Sequence, residues 1–152
     1  LWFEKQKYFA DTLSNEHEEK NLPVFDETKH WLDLYFSGAD PGFMPPLRPA
    51  GSPFRREVWD ILLQIPRGSL LTYKEIADKI TAKRGFPRMS AQAAGGAVGH
   101  NPISILIPCH RVVGSDGSLT GYAGGIEKKI ALLKLEGAYT SRLKLPKKGA
   151  DF

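Results

Sequence analysis

A chain of 152 residues with a single cysteine has no internal disulfide and no cysteine-rich zinc site. A reducing, cytoplasmic setting is the resulting expectation, nucleoid-associated if the source is bacterial. The four histidines, His17, His30, His100 and His110, show no metal-ligand spacing, so neither a metal nor a cofactor is expected. No apolar run approaches the ~18 residues that span a bilayer, and no basic-plus-apolar leader is visible; no membrane partner is expected. The chain starts at Leu1 and not at Met, which allows for a preceding segment. Internal repeats and low-complexity tracts are absent as well.

What is present is ordinary for a globular protein: 41% hydrophobic and 25% charged residues. The net charge of +4 and a sequence pI of about 9.2 are compatible with nucleic acid but weak grounds for it. Part of the basic excess sits in a tail over 141–152 (Arg142, Lys144, Lys147, Lys148), where solvation alone would account for it. Residues 40–53, "DPGFMPPLRPAGSP", hold five prolines and two glycines, which excludes helix or central strand. They read as a linker between an N-terminal lobe, 1–39, and a larger domain, 54–140. The lobe is too small to stand alone. Within it "LWFEKQKYF" looks like the end of a strand, and "PVFDETKHWLDLYFSG" like an amphipathic helix stopped by Gly38.

The larger domain reads as mostly helical. Ser52-Pro53 is a helix start, an N-cap followed by proline in the first turn. Phe54, Val58, Ile61, Leu62 and Ile65 follow at helical spacing. Thr72 to Glu75, "TYKE", is a capping box, with Ile76, Ala77 and Ile80 as the apolar face behind it. A basic loop (Lys83, Arg84, Arg88) leads to "SAQAAGGAVGHNP", which Ser90 can cap. Gly95 and Gly96 each cost a helix ~1 kcal/mol relative to alanine, so close approach by another backbone is expected there. The pair of helices suits a helix-turn-helix variant or a tight helix crossing, and the pattern leaves both open. "ISILI" reads as a buried extended segment, "GSDG" as a turn, and Ile126 to Glu136 as a closing helix ended by Gly137.

Cys109 stands in "SILIPCHRVVG". A buried free cysteine is usually a small hydrophobe, yet a chain wanting only that would not need His110 and Arg111 beside it. Neighbours in an extended segment face opposite ways, so a water could relay the proton between Cys109 and His110. Glu136 is the candidate acceptor that orients the imidazole. Such a relay would give a thiolate near neutral pH, below the usual pKa of about 8.5. A hydrolase needs a water to clear an acyl intermediate, and an oxidoreductase usually needs a second cysteine. A zinc deaminase carries PCxxC with an upstream HxE. Attack on an alkyl carbon is the remaining simple option; water does not cleave the thioether, so each molecule would act once.

From Asn101, "NPISILIPCHRVVGSDGSLTGYAGG" resembles the active-site signature of the O6-alkylguanine-DNA alkyltransferases, the methylated-DNA–protein-cysteine methyltransferases. The resemblance is strong from Ser52 to Gly137 and recognisable in "LWFEKQKYF". It implies an α+β fold: a small α/β lobe and a mainly helical C-terminal domain with a winged-helix-like helix-turn-helix. The family's N-terminal domain begins with β-hairpins that this chain lacks, so its start looks truncated or those strands are absent by nature. It further implies a DNA repair enzyme that moves an alkyl group from O6-alkylguanine, and from O4-alkylthymine, onto its own cysteine in a single turnover. The partner would be double-stranded DNA with alkylated bases, held through the minor groove without sequence preference by a monomer.

By that resemblance Cys109 is the acceptor, His110 the base acting through water, and Glu136 its polarising carboxylate. Asn101 braces the turn, although Asn-Pro also starts turns locally. Tyr73 crowds a phosphate during base rotation and donates a proton to the departing guanine. Tyr122 and Ala123 belong to the loop that closes over the base, and Val112 presents a carbonyl to the guanine amino group. Ser115 contacts phosphate, and Thr72 and Ala91 lie on the DNA-binding surface. Many family members carry an arginine where this chain has Gln92, which implies weaker help in extruding the base. A lesion-binding module without transfer, a Cys–His–Glu thiol hydrolase and an alkylation-controlled regulator are the competing readings.

Overall fold

The computed structural model describes residues 1–85 and 87–146. Five α-helices carry it: α1 (Pro23–Phe36), α2 (Pro53–Leu63), α3 (Tyr73–Arg84), α4 (Ala91–Gly99) and α5 (Ile126–Leu135). Two short strands, β1 (Leu71–Thr72) and β2 (Val112–Val113), pair in parallel with Leu71 opposite Val112 and Thr72 opposite Val113. The mixed fold is as expected; the small α/β lobe is not. No strand forms in "LWFEKQKYF" among the described residues. The segment instead runs through turns, with Lys5, Tyr8 and Ala10 at φ of 59°, 61° and 56°.

A strand needs a paired neighbour for its N–H and C=O groups, and this segment meets loops. The Ser104 N–H donates to the Leu1 carbonyl at 2.9 Å, and the Lys7 N–H to the Ala123 carbonyl at 3.0 Å. The Tyr8 ring stacks on His100 with centroids 3.9 Å apart.

The caps read from sequence are present. Ser52 accepts from the Arg55 N–H and Ser90 from the Ala93 N–H. Thr72 and Glu75 make the reciprocal capping box at the head of α3. Gly38, at φ 87°, lies just beyond α1, and Gly137, at φ 72°, just beyond α5. Trp31 and Tyr35 of α1 share one core with Val58, Trp59 and Leu62 of α2, Ile76 and Ile80 of α3, and Ala94 and Val98 of α4. The proline-rich stretch between α1 and α2 forms no helix or strand, and it is pinned by the Trp31 indole N–H on the Phe43 carbonyl at 2.7 Å.

The start of the basic tail is also docked. Lys144 exchanges backbone bonds with Gly117 and Leu119; Lys147 and Lys148 lie outside the described residues.

"ISILI" is buried but not extended. Ile105 has φ 72°, and the chain folds back through bonds from the Ile107 N–H to the Ile103 carbonyl and from Leu106 to Ser104. Cys109–Arg111 then form a single 3-10 turn. Apolar burial was legible there; a turn buries the same side chains when a neighbouring side chain takes its backbone groups, and Asn101 does so.

No helix is long and apolar enough to cross a membrane among the described residues.

Candidate active site

The β1–β2 pairing brings the head of α3 against the 3-10 turn, and so Tyr73 towards Cys109. Asn101 shapes that turn from within. Its Nδ2 donates to the Ile107 carbonyl at 2.7 Å and to Cys109 Sγ at 3.0 Å, and its Oδ1 accepts from the Ile103 N–H at 2.9 Å. Cys109 is 6% exposed. Burial pushes its thiol above the ordinary value, against the opposing pull of Asn101 and the Lys129 cation. The expectation of a thiolate near neutral pH is therefore corrected for the free protein: the desolvation cost of a buried anion outweighs the hydrogen bond and the nearby charge.

The imidazole of His110 is fully buried, and its Nε2 lies 2.7 Å from Glu136 Oε1. Glu136, the C-cap of α5, also accepts from the Tyr35 hydroxyl at 2.6 Å and from Arg111 Nε and a terminal Arg111 nitrogen at 2.8 and 2.9 Å. Burial would raise this carboxyl, but the His110, Arg111 and Tyr35 donors hold it well below the usual carboxylate range. An ionised Glu136 can only accept, so Nε2 carries the hydrogen and Nδ1 the lone pair; that tautomer is assigned from the network. Nδ1 is buried with no hydrogen-bond partner among the described residues. Burial lowers the His110 pKa, against the pull of Glu136, which leaves a neutral imidazole with one free basic nitrogen.

A cleft of about 590 Å³ opens at Tyr73; Cys109, His110, Glu136 and Tyr122 are not part of its lining. Tyr73, Thr120, Gly121 and Ala123 line one side, Ala91, Gln92 and the glycines of α4 another, and Lys7 and Tyr8 a third. The Tyr73 hydroxyl donates to the Thr120 carbonyl at 2.8 Å. Gly121, at φ 74°, has no room for a side chain, since a Cβ would sit 2.6 Å from that hydroxyl. Tyr122 is buried with its hydroxyl unpartnered among the described residues, its ring edge-on to His110 at 6.4 Å.

The glycines of α4 do not serve a helix crossing. A Cβ at Gly96 or Gly99 would meet nothing within 4 Å, and one at Gly95 only the Tyr73 ring at 3.6 Å. The bare face of α4 thus opens outward.

Of the expected site residues, Cys109 with Asn101, and His110 with Glu136, come into contact. Tyr73, Gln92, Ala91 and Ala123 meet at the cleft. Val112 and Ser115 do not line it. The Val112 carbonyl accepts from Lys129 Nζ at 2.5 Å, where an exposed carbonyl was expected. Ser115 is exposed in the turn before Gly117, and the Thr72 hydroxyl is engaged with Glu75.

Sequence reasoning missed Tyr35, Arg111 as a carboxylate clamp, and Lys129. Lys129 could have been found, because it shares a helical stripe with Leu132, Leu133 and Glu136. Among the described residues no group of three or more His, Cys, Asp or Glu is placed to hold a metal.

The model of the 6-O-methylguanine DNA methyltransferase DNA-binding domain matches residues 53–138. The chain belongs to that family. It is 42% identical over 135 residues to the methylated-DNA–protein-cysteine methyltransferase of Haemophilus influenzae, covering 88% of this chain and 72% of that protein. With the Methanosarcina barkeri protein of the same name it shares 48% identity over 117 residues, 77% of this chain and 71% of the other. The crystal structure of Mycobacterium tuberculosis OGT in complex with DNA superposes with a TM-score of 0.72 at 44% identity, covering 86% of this chain and 76% of that one. Every residue of the cysteine–asparagine and histidine–glutamate contacts falls inside the matched 53–138 span.

Proposed function

We propose that the protein repairs DNA by moving the alkyl group of O6-alkylguanine, and of O4-alkylthymine, onto Cys109, once per molecule. One observation carries the reading: the chain's single cysteine sits braced by Asn101 beside a histidine whose far nitrogen is fixed on an ionised Glu136. In the transfer, His110 Nδ1 takes the thiol proton through a water. The sulfur attacks the alkyl carbon, an S–C bond forms, and the C–O bond breaks with its electron pair passing to the base. The Tyr73 phenol supplies a proton to the guanine as that charge develops. The product is a thioether, and nothing in the site regenerates the thiol.

The reacting carbon lies inside a duplex, so the nucleotide must be turned out of the stack. The cleft beside Tyr73 is the receiving space in this reading. The Tyr122–Ala123 loop covers the base, and the backbone N–H groups of Tyr122 and Ala123 reach the guanine oxygen. The outward face of α4, where Gly95, Gly96 and Gly99 follow Gln92, favours close approach to a minor-groove floor, where the sequence code is degenerate. α3 and α4 then act as the helix-turn-helix, with β1–β2 as the reduced wing, Gln92 entering the gap left by the base, and Thr72 and Ser115 near the phosphates. The protein works as a monomer in the cytoplasm without sequence preference.

Intact mass decides the matter. After one equivalent of duplex carrying O6-methylguanine, the protein should gain one methyl group, mapped to Cys109, and Cys109→Ser should gain none. An unchanged mass with tight lesion binding would instead mark a binding module, and repeated turnover on an ester a hydrolase.

A further inference from the structure

Lys129 is the one lysine buried completely among the described residues, and neither the thiol deprotonation by His110 nor the proton supply from Tyr73 employs it. Its Nζ donates to the Val112 carbonyl at 2.5 Å and to the Thr120 carbonyl at 3.0 Å. The same Thr120 oxygen accepts the Tyr73 hydroxyl at 2.8 Å. One ammonium therefore ties β2, the loop before Tyr122, and, through a shared oxygen, the phenol at the head of α3. Val112 pairs with Leu71, two residues before Tyr73, so both attachments of the ammonium bear on where that phenol sits. The peptide that follows is shaped to the same group, since a Cβ at Gly121 would collide with the Tyr73 hydroxyl.

We propose that Lys129 is a positioning residue for transfer: it holds the Thr120 carbonyl as a dock from which the Tyr73 phenol is released to the lesion. The inference rests on the alkyl-transfer reading. A carbonyl oxygen has two lone pairs, and here each has a donor. Were the phenol the only donor, turning it towards a base would strand a partly buried acceptor at the cleft wall, at part of the cost such groups carry. With Lys129 in place the oxygen stays satisfied, and the phenol exchanges one acceptor for another. The ammonium also stays put while Tyr73 moves, because Val112 holds its other hydrogen bond. Its positive charge favours the anionic form of Cys109 as well, in the same direction as the reaction.

The test is a double-mutant cycle read by single-turnover methyl transfer from an O6-methylguanine duplex to the full chain. If Lys129 acts through the phenol, Lys129→Met slows transfer by about tenfold in the wild-type background, but by much less in the Tyr73→Phe background. Affinity for the duplex should be unchanged, and Lys129→Arg should recover part of the rate. Equal slowing in both backgrounds, or a loss confined to DNA affinity, overturns the proposal. If Lys129→Met does not fold, as judged by near-UV circular dichroism, the cycle is run with Lys129→Arg. Failure of both to fold overturns it too, since the residue is then structural first. A wild-type chain that takes up no methyl group sinks the transfer reading itself; transfer without the coupling sinks only this inference.

Discussion

The thiol of Cys109 is reluctant by construction. Burial raises it, while Asn101 and Lys129 recover only part of that cost. The acid–base power of the site resides in a neutral His110 held on an ionised Glu136, and burial keeps the free thiol protonated beside it. A small reagent that needs a preformed thiolate should see little of one. Reaction of the free protein with iodoacetamide at pH 7 should be at least about tenfold slower than that of an unstructured cysteine peptide, whose pKa is about 8.5. The rate should still be climbing above pH 9. Asn101→Ala removes the donor to sulfur and should push the rise further to alkaline pH. A rate that levels off below pH 7 would show a standing thiolate and refute this account.

At the scale of elements, α4 makes the clearest demand. Glycine inside a helix costs about 0.5–1 kcal/mol against alanine, and Gly96 has nothing of its own protein to make room for. Gly96→Ala should therefore stabilise the fold, raising Tm by a few degrees at most. It should weaken duplex binding by about tenfold, or about 1.4 kcal/mol, if that face lies against DNA. Higher Tm with unchanged affinity would remove α4 from the interface. Gln92→Arg, on the same helix, should speed transfer, and an equal or slower rate would count against Gln92 as the residue that fills the gap.

The caps of α2, α3 and α4, the apolar faces of α1, α2 and α3, and the glycine stops of α1 and α5 were legible in sequence because they depend on residues within a turn of one another. The path of residues 1–10 and of "ISILI" was not. The first is decided by a partner far along the chain, Ala123 for Lys7; the second by a local side chain, Asn101, which takes the Ile103 N–H and the Ile107 carbonyl in a way that apolar patterning does not show. In the site, Cys109, His110 and Glu136 could be chosen by chemistry and by resemblance. Tyr35 and Arg111 could not, because their role exists only where α1, α2 and α5 converge on one carboxylate.

That convergence makes the active site a structural joint of the whole molecule, and pH should expose it. Glu136 gathers donors from Tyr35 on α1, from His110 and Arg111 on the 3-10 turn, and, through the Arg111 guanidinium on the Ile65 carbonyl at 2.5 Å, the end of α2. Two groups set the sign. His110 has a folded pKa below its ordinary 6.5, so the unfolded chain binds the proton first, and stability falls as pH drops below about 6.5. Glu136 has a folded pKa below its ordinary 4.5; its contribution is complete above that value and is lost as pH falls towards the folded pKa. Both act in the same direction. Urea unfolding between pH 8 and pH 3 should therefore show a first decline beginning near pH 6.5 and a steeper one below pH 4.5. Glu136→Gln should flatten the lower decline while costing up to about 3 kcal/mol at neutral pH, the low end of the penalty for breaking a buried ion pair, because Arg111 is only partly buried and keeps the Ile65 carbonyl. The upper decline should persist in that variant, because burial of His110, its first cause, is untouched. A wild-type protein equally stable at pH 5 and pH 3 would mean that the carboxylate joint carries no stability, and that α1 is held on the larger domain by Trp31 and its apolar neighbours alone.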